Sequence, residues 1–273
     1  MSSPRAFLAQ LRLNVSPAAQ RIRRVPLLGP LLGRVGALLV PRGTLVWAKI
    51  KDGPARDHWI LVEARGGSDF LAGNREPWVQ QILEQWLVPG SVFYDVGANV
   101  GYFCLTASKR LGGEGQIFAF EAEPDAASRL RRTMERNQLT RVTVVEKAVW
   151  SQSGFVQFDR GLGSPDRLVG HVASGPAYEP TGLVTVPAIS LDDFARNAQP
   201  PDLIKCDVEG AELEVFRGAA DLLATRRPRV ICEVHSPENL RELRGIFYER
   251  DYRVELLDSE AKFPLHIAAE PAP

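Results

Sequence analysis

Short apolar runs alternate with amphipathic stretches from about residue 91 onward. VFYDV (92–96), QIFAFE (116–121), VTVVEKAV (142–149), DLIKCDV (202–208) and RVICEVH (229–235) are rich in β-branched and aromatic residues and almost continuously apolar. That pattern marks strands covered on both faces. Between them, residues 102–110, 124–138, 191–198 and 211–225 read as helical segments. Strand–helix alternation of this kind predicts an α/β domain with a doubly wound, mostly parallel sheet. A further helix (237–250) and two strand-like runs, YRVELL (252–257) and FPLHIAA (263–269), complete it.

Upstream, TLVWAKI (44–50) and HWILVEA (58–64) flank KDGPARD, which predicts a hairpin. A helix begins around Pro77, with Trp78, Val79, Ile82, Leu83, Trp86 and Leu87 on one face, and Pro89-Gly90 stops it. The chain therefore divides into a basic, leucine-rich extension over 1–43, a hairpin and lead-in helix over 44–90, and a ligand-binding domain over 91–273. One long stretch rich in Gly, Ser and Pro, about 159–182, reads as an acceptor loop, because loops of that length in compact domains are usually functional.

Charge changes the picture at one end. Net charge is zero, yet residues 1–51 hold seven Arg and two Lys with no acid, so the remainder carries −9. The basic segment either packs as helices on the domain or rests on an anionic membrane surface, which would suit a lipid-linked acceptor. Its most apolar stretch, VPLLGPLLGRVGALLV, contains Pro30 and Arg34 and is shorter than the roughly 20 residues of a spanning helix. Cys104, Cys206 and Cys232 lie apart inside apolar runs, an odd and unclustered set that argues against disulfides and zinc. Together with the lack of a secretory signal pattern, this predicts a cytoplasmic protein, at the inner face of the membrane if the basic segment docks there.

The first chemical signal is the end of the first core strand, DVGANVG (95–101). Open parallel sheets bind ligands beyond the carboxyl ends of their strands. A G-x-G-x-x-G dinucleotide fingerprint does not fit, nor does a G-x-x-x-x-G-K-[ST] phosphate loop. The remaining D-x-G-x-N-x-G pattern, with Asp95, Gly97, Asn99 and Gly101, suits the methionine part of S-adenosylmethionine. Asp95 would hold the ammonium, Gly97 would let the ligand lie against backbone, and Gly101 would leave helix N-terminal amides accessible. Glu121, twenty residues beyond Gly101 and ending the second strand, is placed for ribose hydroxyls. Ala148, ending the third, would bring backbone near the adenine. Glu76, before the Pro77 helix, would reach the same pocket or give first-turn electrostatic support.

These stretches, with SLDDF, KCDVEGAELEVFRGA and RPRVICEVH, resemble the FkbM family of methyltransferases over roughly residues 70–260. The resemblance implies a class I, Rossmann-like methyltransferase fold, S-adenosylmethionine as donor, and methylation of a hydroxyl on a sugar, glycolipid or polyketide-type acceptor. Ala122 departs from the proline the family commonly has after the ribose-binding acid.

For the acceptor side, alternation along DLIKCDVEG puts Lys205, Asp207 and Glu209 on one strand face, and RVICEVH ends its neighbour with Glu233 and His235. His235 is the general base by its ordinary pKa, Asp207 an orienting group or alternative base, and Glu233 the partner of the imidazole. Alternatively, Asp207, Glu209, Glu233 and His235 bind a divalent cation that acidifies the hydroxyl. Lys205 and Glu212 also have structural readings, as an ion pair at the sheet end and a first-turn acid. His171 lies in the long loop, and His58 and His266 read as structural. An acidic core without an N/D-P-P-Y/F motif argues against nucleic acid. The rival readings are a non-catalytic S-adenosylmethionine-binding regulator and a membrane-associated assembly protein on a methyltransferase fold.

Overall fold

The computed structural model describes residues 41, 43–65, 67–160, 171–172, 182–258 and 262–273. Nearly all of the basic extension over 1–43, and most of the loop over 159–182, fall outside them. The chain separates into two compact units, Met1–Arg75 and Glu76–Pro273. The break differs from the grouping expected for 44–90, because the Pro77 helix packs on the larger unit while the hairpin does not belong to it.

In the smaller unit, β1 (Leu45–Lys49) pairs antiparallel with β2 (Trp59–Glu63), as the sequence pattern predicts. A short helix that the pattern did not reveal, α1 (Ser68–Ala72), follows between two left-handed glycines.

The larger unit opens with α2 (Pro77–Trp86), which starts at its proline and buries Val79, Ile82 and Leu83. It is built on β3 (Val92–Val96), β4 (Gln116–Phe120), β5 (Val142–Val145), β10 (Leu203–Cys206), β11 (Arg229–Val234), β12 (Tyr252–Leu256) and β13 (Leu265–Pro271). The order is β12-β13-β11-β10-β3-β4-β5, parallel except for β13, which runs antiparallel to β11 and β12. Strand order therefore reverses between β3 and β10, the switch point where open α/β sheets bind ligands.

Helix α3 (Tyr102–Leu111) covers one face and α4 (Pro124–Arg136) follows β4, capped by the buried Glu123, whose carboxylate accepts from Ala126 N–H at 2.6 Å. The opposite face of β3, β10 and β11 (Tyr94, Val96, Ile204, Cys206, Cys232, Val234) packs on Val215, Phe216, Leu243 and Phe247. These come from α6 (Glu212–Arg217) and α8 (Pro237–Tyr248). Phe194 meets Tyr94 and Phe120 edge-on, with ring centroids 5.5 and 4.8 Å apart, the geometry aromatic quadrupoles favour. Phe194 is carried by α5 (Leu191–Ala195), which Ser190 caps through Asp193 N–H at 3.1 Å.

Two predicted elements split. VTVVEKAV is not one strand: β5 stays in the main sheet, and after Glu146-Lys147 the chain enters β6 (Ala148–Val149) of a second sheet. That sheet, of order β6-β9-β7-β8, adds β7 (Gly154–Asp159), β8 (His171–Val172) and β9 (Leu183–Ile189), which were not anticipated. Residues 211–225 form two helices, α6 and α7 (Ala220–Thr225), broken at Gly218. A Cβ there would meet the Trp150 carbonyl oxygen at 2.2 Å, so only glycine lets this corner pack against the start of the second sheet. No helix among the described residues is long and apolar enough to cross a membrane.

Candidate active site at the strand tips

A cavity of about 600 Å³ of empty space, open mouth included, lies at the carboxyl ends of β3, β4 and β10 and beside β6. Val96, Phe120, Val149, Phe158 and Val208 supply apolar wall; Glu121, Asp207, Glu209 and Lys147 supply polar groups.

Glu121 is held by the backbone. Its Oε2 accepts from Asn99 N–H at 2.7 Å and its Oε1 from Glu123 N–H at 2.8 Å. Burial pushes its pKa up to about 7, against these two amides, which favour the charged form. Each oxygen keeps a second lone pair for a ligand hydroxyl. Asn99 reaches the left-handed conformation (φ 49°) that turns its amide to Glu121. Ala148 lines the cavity, but from β6 of the second sheet rather than from the end of a third core strand.

Three residues of the first loop are tied to the protein's own packing. Asp95 does not face the cavity: it is 0% exposed, accepts from the Cys104 thiol at 3.2 Å, and lies 3.6 Å from Lys205 Nζ. The cation opposite it in this structure is the buried Lys205. Gly97 borders the cavity, yet its missing side chain serves the protein itself. A Cβ there would sit 1.8 Å from the Asp207 carbonyl oxygen, so glycine (φ 75°) permits the approach of β10. At Gly101 (φ 91°) a Cβ would meet Leu130 at 2.5 Å and Met134 at 2.7 Å; this glycine seats α4. The Gly97 and Ala98 amides both donate to Phe120 O, so they are spent on β4.

Lys205 sits 3.4 Å from Gly97 O, 3.5 Å from Asp207 Oδ2 and 5.0 Å from the Phe103 ring centre. Burial disfavours its charge, but Asp207, Asp95, Glu76 and Glu233 together hold its pKa above the ordinary value. Burial likewise pushes Asp95 up, with Lys205 opposing. Asp207 continues the pairing of β10 to β3 through its N–H to Val96 O at 3.0 Å, and presents its carboxylate to the cavity beside Lys205.

Strand alternation brings Lys205 and Asp207 together but loses Glu209. The chain turns there, with Glu209 at φ 52° and Gly210 at φ 99°, and Glu209 Oε2 lies 3.2 Å from His235 Nε2. His235 Nδ1 lies 2.7 Å from Glu212 Oε1. Glu212, 0% exposed, also accepts from Gly210 N–H at 2.7 Å and Asn239 Nδ2 at 2.6 Å. The partner of the imidazole is thus Glu212, with Glu209 on the other nitrogen, and not Glu233. Burial pushes His235 down, but the two carboxylates outweigh it and carry its pKa up to about 11. Carboxylates flank both nitrogens, so Nε2 becomes open to another partner only when Glu209 moves away from it.

Glu233 has Asp207 and His266 as its charged neighbours. Burial first, then the charge and hydrogen bond of Asp207, push its carboxyl up to about 8. Its register partner is His266, 4% exposed, whose Nδ1 is 2.9 Å from Asp258 Oδ2 and whose Nε2 is 3.5 Å from Glu76 Oε2 and 3.9 Å from Glu233 Oε1. Glu76, left-handed at φ 43°, therefore points to His266 and is absent from the cavity lining, unlike the donor contact expected for it. Glu212, Asp258 and His266 were overlooked as site residues. The acid of VEGAE was a visible signal for Glu212; nothing in the sequence brings His266 to Glu233.

A family model described as the methyltransferase FkbM domain matches residues 95–254. Hexuronic acid methyltransferase AglP of Haloferax volcanii is 26% identical over 201 residues, 72% of this chain and 74% of that protein. 2-O-methyltransferase NoeI of Sinorhizobium fredii is 29% identical over 196 residues, 64% of this chain and 77% of that one. Among solved structures, an FkbM methyltransferase from Methylobacillus flagellatus KT superposes with a TM-score of 0.51 at 16% identity, which shows the fold. The superposition covers 81% of this chain but 56% of that one, so the chain spans little more than half its length. With the match extending from Asp95 in the first strand tip to Val254 in β12, the chain belongs to the FkbM family of methyltransferases.

Proposed function

We propose that the chain transfers the methyl group of S-adenosylmethionine to a hydroxyl of a sugar or sugar-bearing acceptor. The observation that carries this reading is a cavity with Glu121 and Asp207 facing it from the tips of β4 and β10, on either side of β3. Its make-up fits the donor. Apolar wall from Val149 and Phe158 near Ala148 suits an adenine, Glu121 suits the ribose hydroxyls, and the Asp207 and Glu209 carboxylates suit the cationic amino-acid and sulfonium end. Asp95 then acts from behind, by fixing Lys205, which in turn sets Asp207.

The bound donor supplies an activated methyl group, so alignment of the acceptor oxygen supplies much of the rate. In this reading Asp207, with Glu233 beside it, orients the hydroxyl and receives its proton. His235 is a positioning residue fixed by Glu212. The sugar class is supported by the names of the two relatives, one acting on a hexuronic acid and one a 2-O-methyltransferase. The same side chains also offer a divalent-cation site, developed below. Residues 159–182 would border the acceptor, and the basic residues 1–43 would bring the chain to anionic lipid carrying it; co-sedimentation with anionic against neutral vesicles tests the latter.

The direct test is incubation with methyl-labelled S-adenosylmethionine and a panel of hexuronic acid and neutral hexose glycosides, free and lipid-linked. Label is expected as a base-stable methyl ether on a sugar. Binding of S-adenosylhomocysteine without label in any glycoside would overturn the acceptor class, and no binding at all would overturn the donor.

A further inference from the structure

We propose that Asp207, Glu233 and His235 form a binding site for one divalent metal ion beside the donor cavity. One ligand atom from each lies within 4.8 Å of the others. Ligands of a single ion at about 2.0–2.5 Å from it span a similar distance. The three come from the ends of adjacent strands β10 and β11, which fixes their spacing through the backbone.

The surroundings resemble a metal site more than an ion-pair network. Glu212, fully buried, binds His235 Nδ1 at 2.7 Å and is itself held by Gly210 and Asn239. A carboxylate on one imidazole nitrogen fixes the ring so that the other nitrogen can ligate a metal. Glu209 Oε2, 3.2 Å from that second nitrogen and about a third exposed, would have to give up this contact for the nitrogen to ligate. His266, 4% exposed, has its Nε2 3.5 Å from Glu76 Oε2 and 3.9 Å from Glu233 Oε1. It stands behind Glu233 with Nδ1 fixed on Asp258, as a buried group that steadies a carboxylate whose negative charge is needed elsewhere.

An oxygen-rich set with one imidazole suits ions of the magnesium and manganese type. Binding does not depend on the methyl-transfer reading; the role does. Asp207 borders the cavity, so an acceptor hydroxyl there can share the ion. Its oxygen then attacks the methyl carbon, the new O–C bond forms as the S–C bond breaks, and that electron pair stays on sulfur as a neutral thioether. The hydroxyl proton passes to the free oxygen of Asp207, as in the reading above, and from there to water.

The test is titration of the metal-stripped, full-length protein with Mn²⁺, followed by calorimetry and by electron spin resonance. One saturable ion per chain is expected, with an imidazole nitrogen coupled to the manganese. Asp207→Asn, Glu233→Gln and His235→Asn should each weaken binding by about 100-fold or more, and Glu212→Gln by about 10–100-fold. Glu242→Gln, in an exposed pair with Arg217, should not. The nitrogen coupling needs no variant, so it stands even if a substituted chain fails to fold. Absence of saturable binding, absence of that coupling, or binding that survives all three substitutions overturns the site. S-adenosylhomocysteine binding in the presence of chelator is measured in parallel: if it persists while Mn²⁺ fails to bind, only the metal site falls; if it is lost while Mn²⁺ binds, the donor reading falls instead.

Discussion

Asp95 and Lys205 are register partners across the parallel β3/β10 pair, and their side chains meet at 3.6 Å with 0% and 4% exposure. They span the point where strand order reverses. A charge pair there is removed from water on both sides, so its geometry, more than its net stabilisation, is what the fold obtains from it.

Lys205→Met should destabilise the protein by about 3–5 kcal/mol, because Asp95 is left buried without its cation. Asp95→Asn combined with Lys205→Met should recover part of that loss. Urea denaturation with matched m-values measures both, and a single variant as stable as the parent would remove the pair from the account.

The two loop glycines should respond differently. Gly97→Ala places a methyl 1.8 Å from a backbone carbonyl that cannot move without parting β3 from β10. Gly101→Ala meets only the ends of Leu130 and Met134, which can rotate. Both add left-handed strain of about 1–3 kcal/mol. The melting temperature of Gly97→Ala should therefore fall well below that of Gly101→Ala, and equal losses would contradict the packing argument.

Glu121 gives a pH dependence of defined sign. Its folded pKa of about 7 lies above the ordinary 4.5, so the folded chain keeps a proton that the unfolded chain releases between those values. The stability this group contributes is present at low pH and is lost as pH climbs from about 4.5 to 7. Donor affinity should run the other way, since an ionised carboxylate is the better acceptor for ribose hydroxyls. Calorimetry with S-adenosylhomocysteine should show tighter binding at about pH 8 than at about pH 6. Glu121→Gln should weaken binding by about 1.5–3 kcal/mol and flatten the trend; an unchanged slope in that variant would assign the titration to another group.

Glu212→Ala should cost about 2–4 kcal/mol, because a buried acceptor of three hydrogen bonds is removed and the Gly210 amide and Asn239 lose their partner. If Glu212 positions His235, turnover should fall further than donor affinity. Parallel measurement of kcat and of S-adenosylhomocysteine affinity distinguishes that from a general loss of fold.

The parallel sheet and the helices between its strands were legible because strands buried on both faces leave continuous apolar runs, and helices leave spaced ones. Glu121 was placed correctly at a strand tip because its position follows from strand length alone. The buried partner of Asp95 was not legible, because it is 110 residues away in sequence and only the β3/β10 register makes Lys205 its neighbour. Glu209 escaped strand alternation because a left-handed residue followed by Gly210 turns the chain, a backbone choice that non-glycine residues seldom announce. The second sheet stayed hidden since β6 is two residues long and borrows its pairing from β9, far along the chain. Site residues that depend on one element were readable; those that depend on two elements meeting were not.

Strand β13 lies between β11 and β12 in the sheet although it follows both in sequence. During synthesis, β11 therefore waits with one open edge until a segment beyond residue 264 emerges. Its bare amides and carbonyls are then a template for other nascent chains. Chaperone demand should be set by that interval, and replacements that slow the arrival of β13 should show as lower yield rather than as a less stable finished protein.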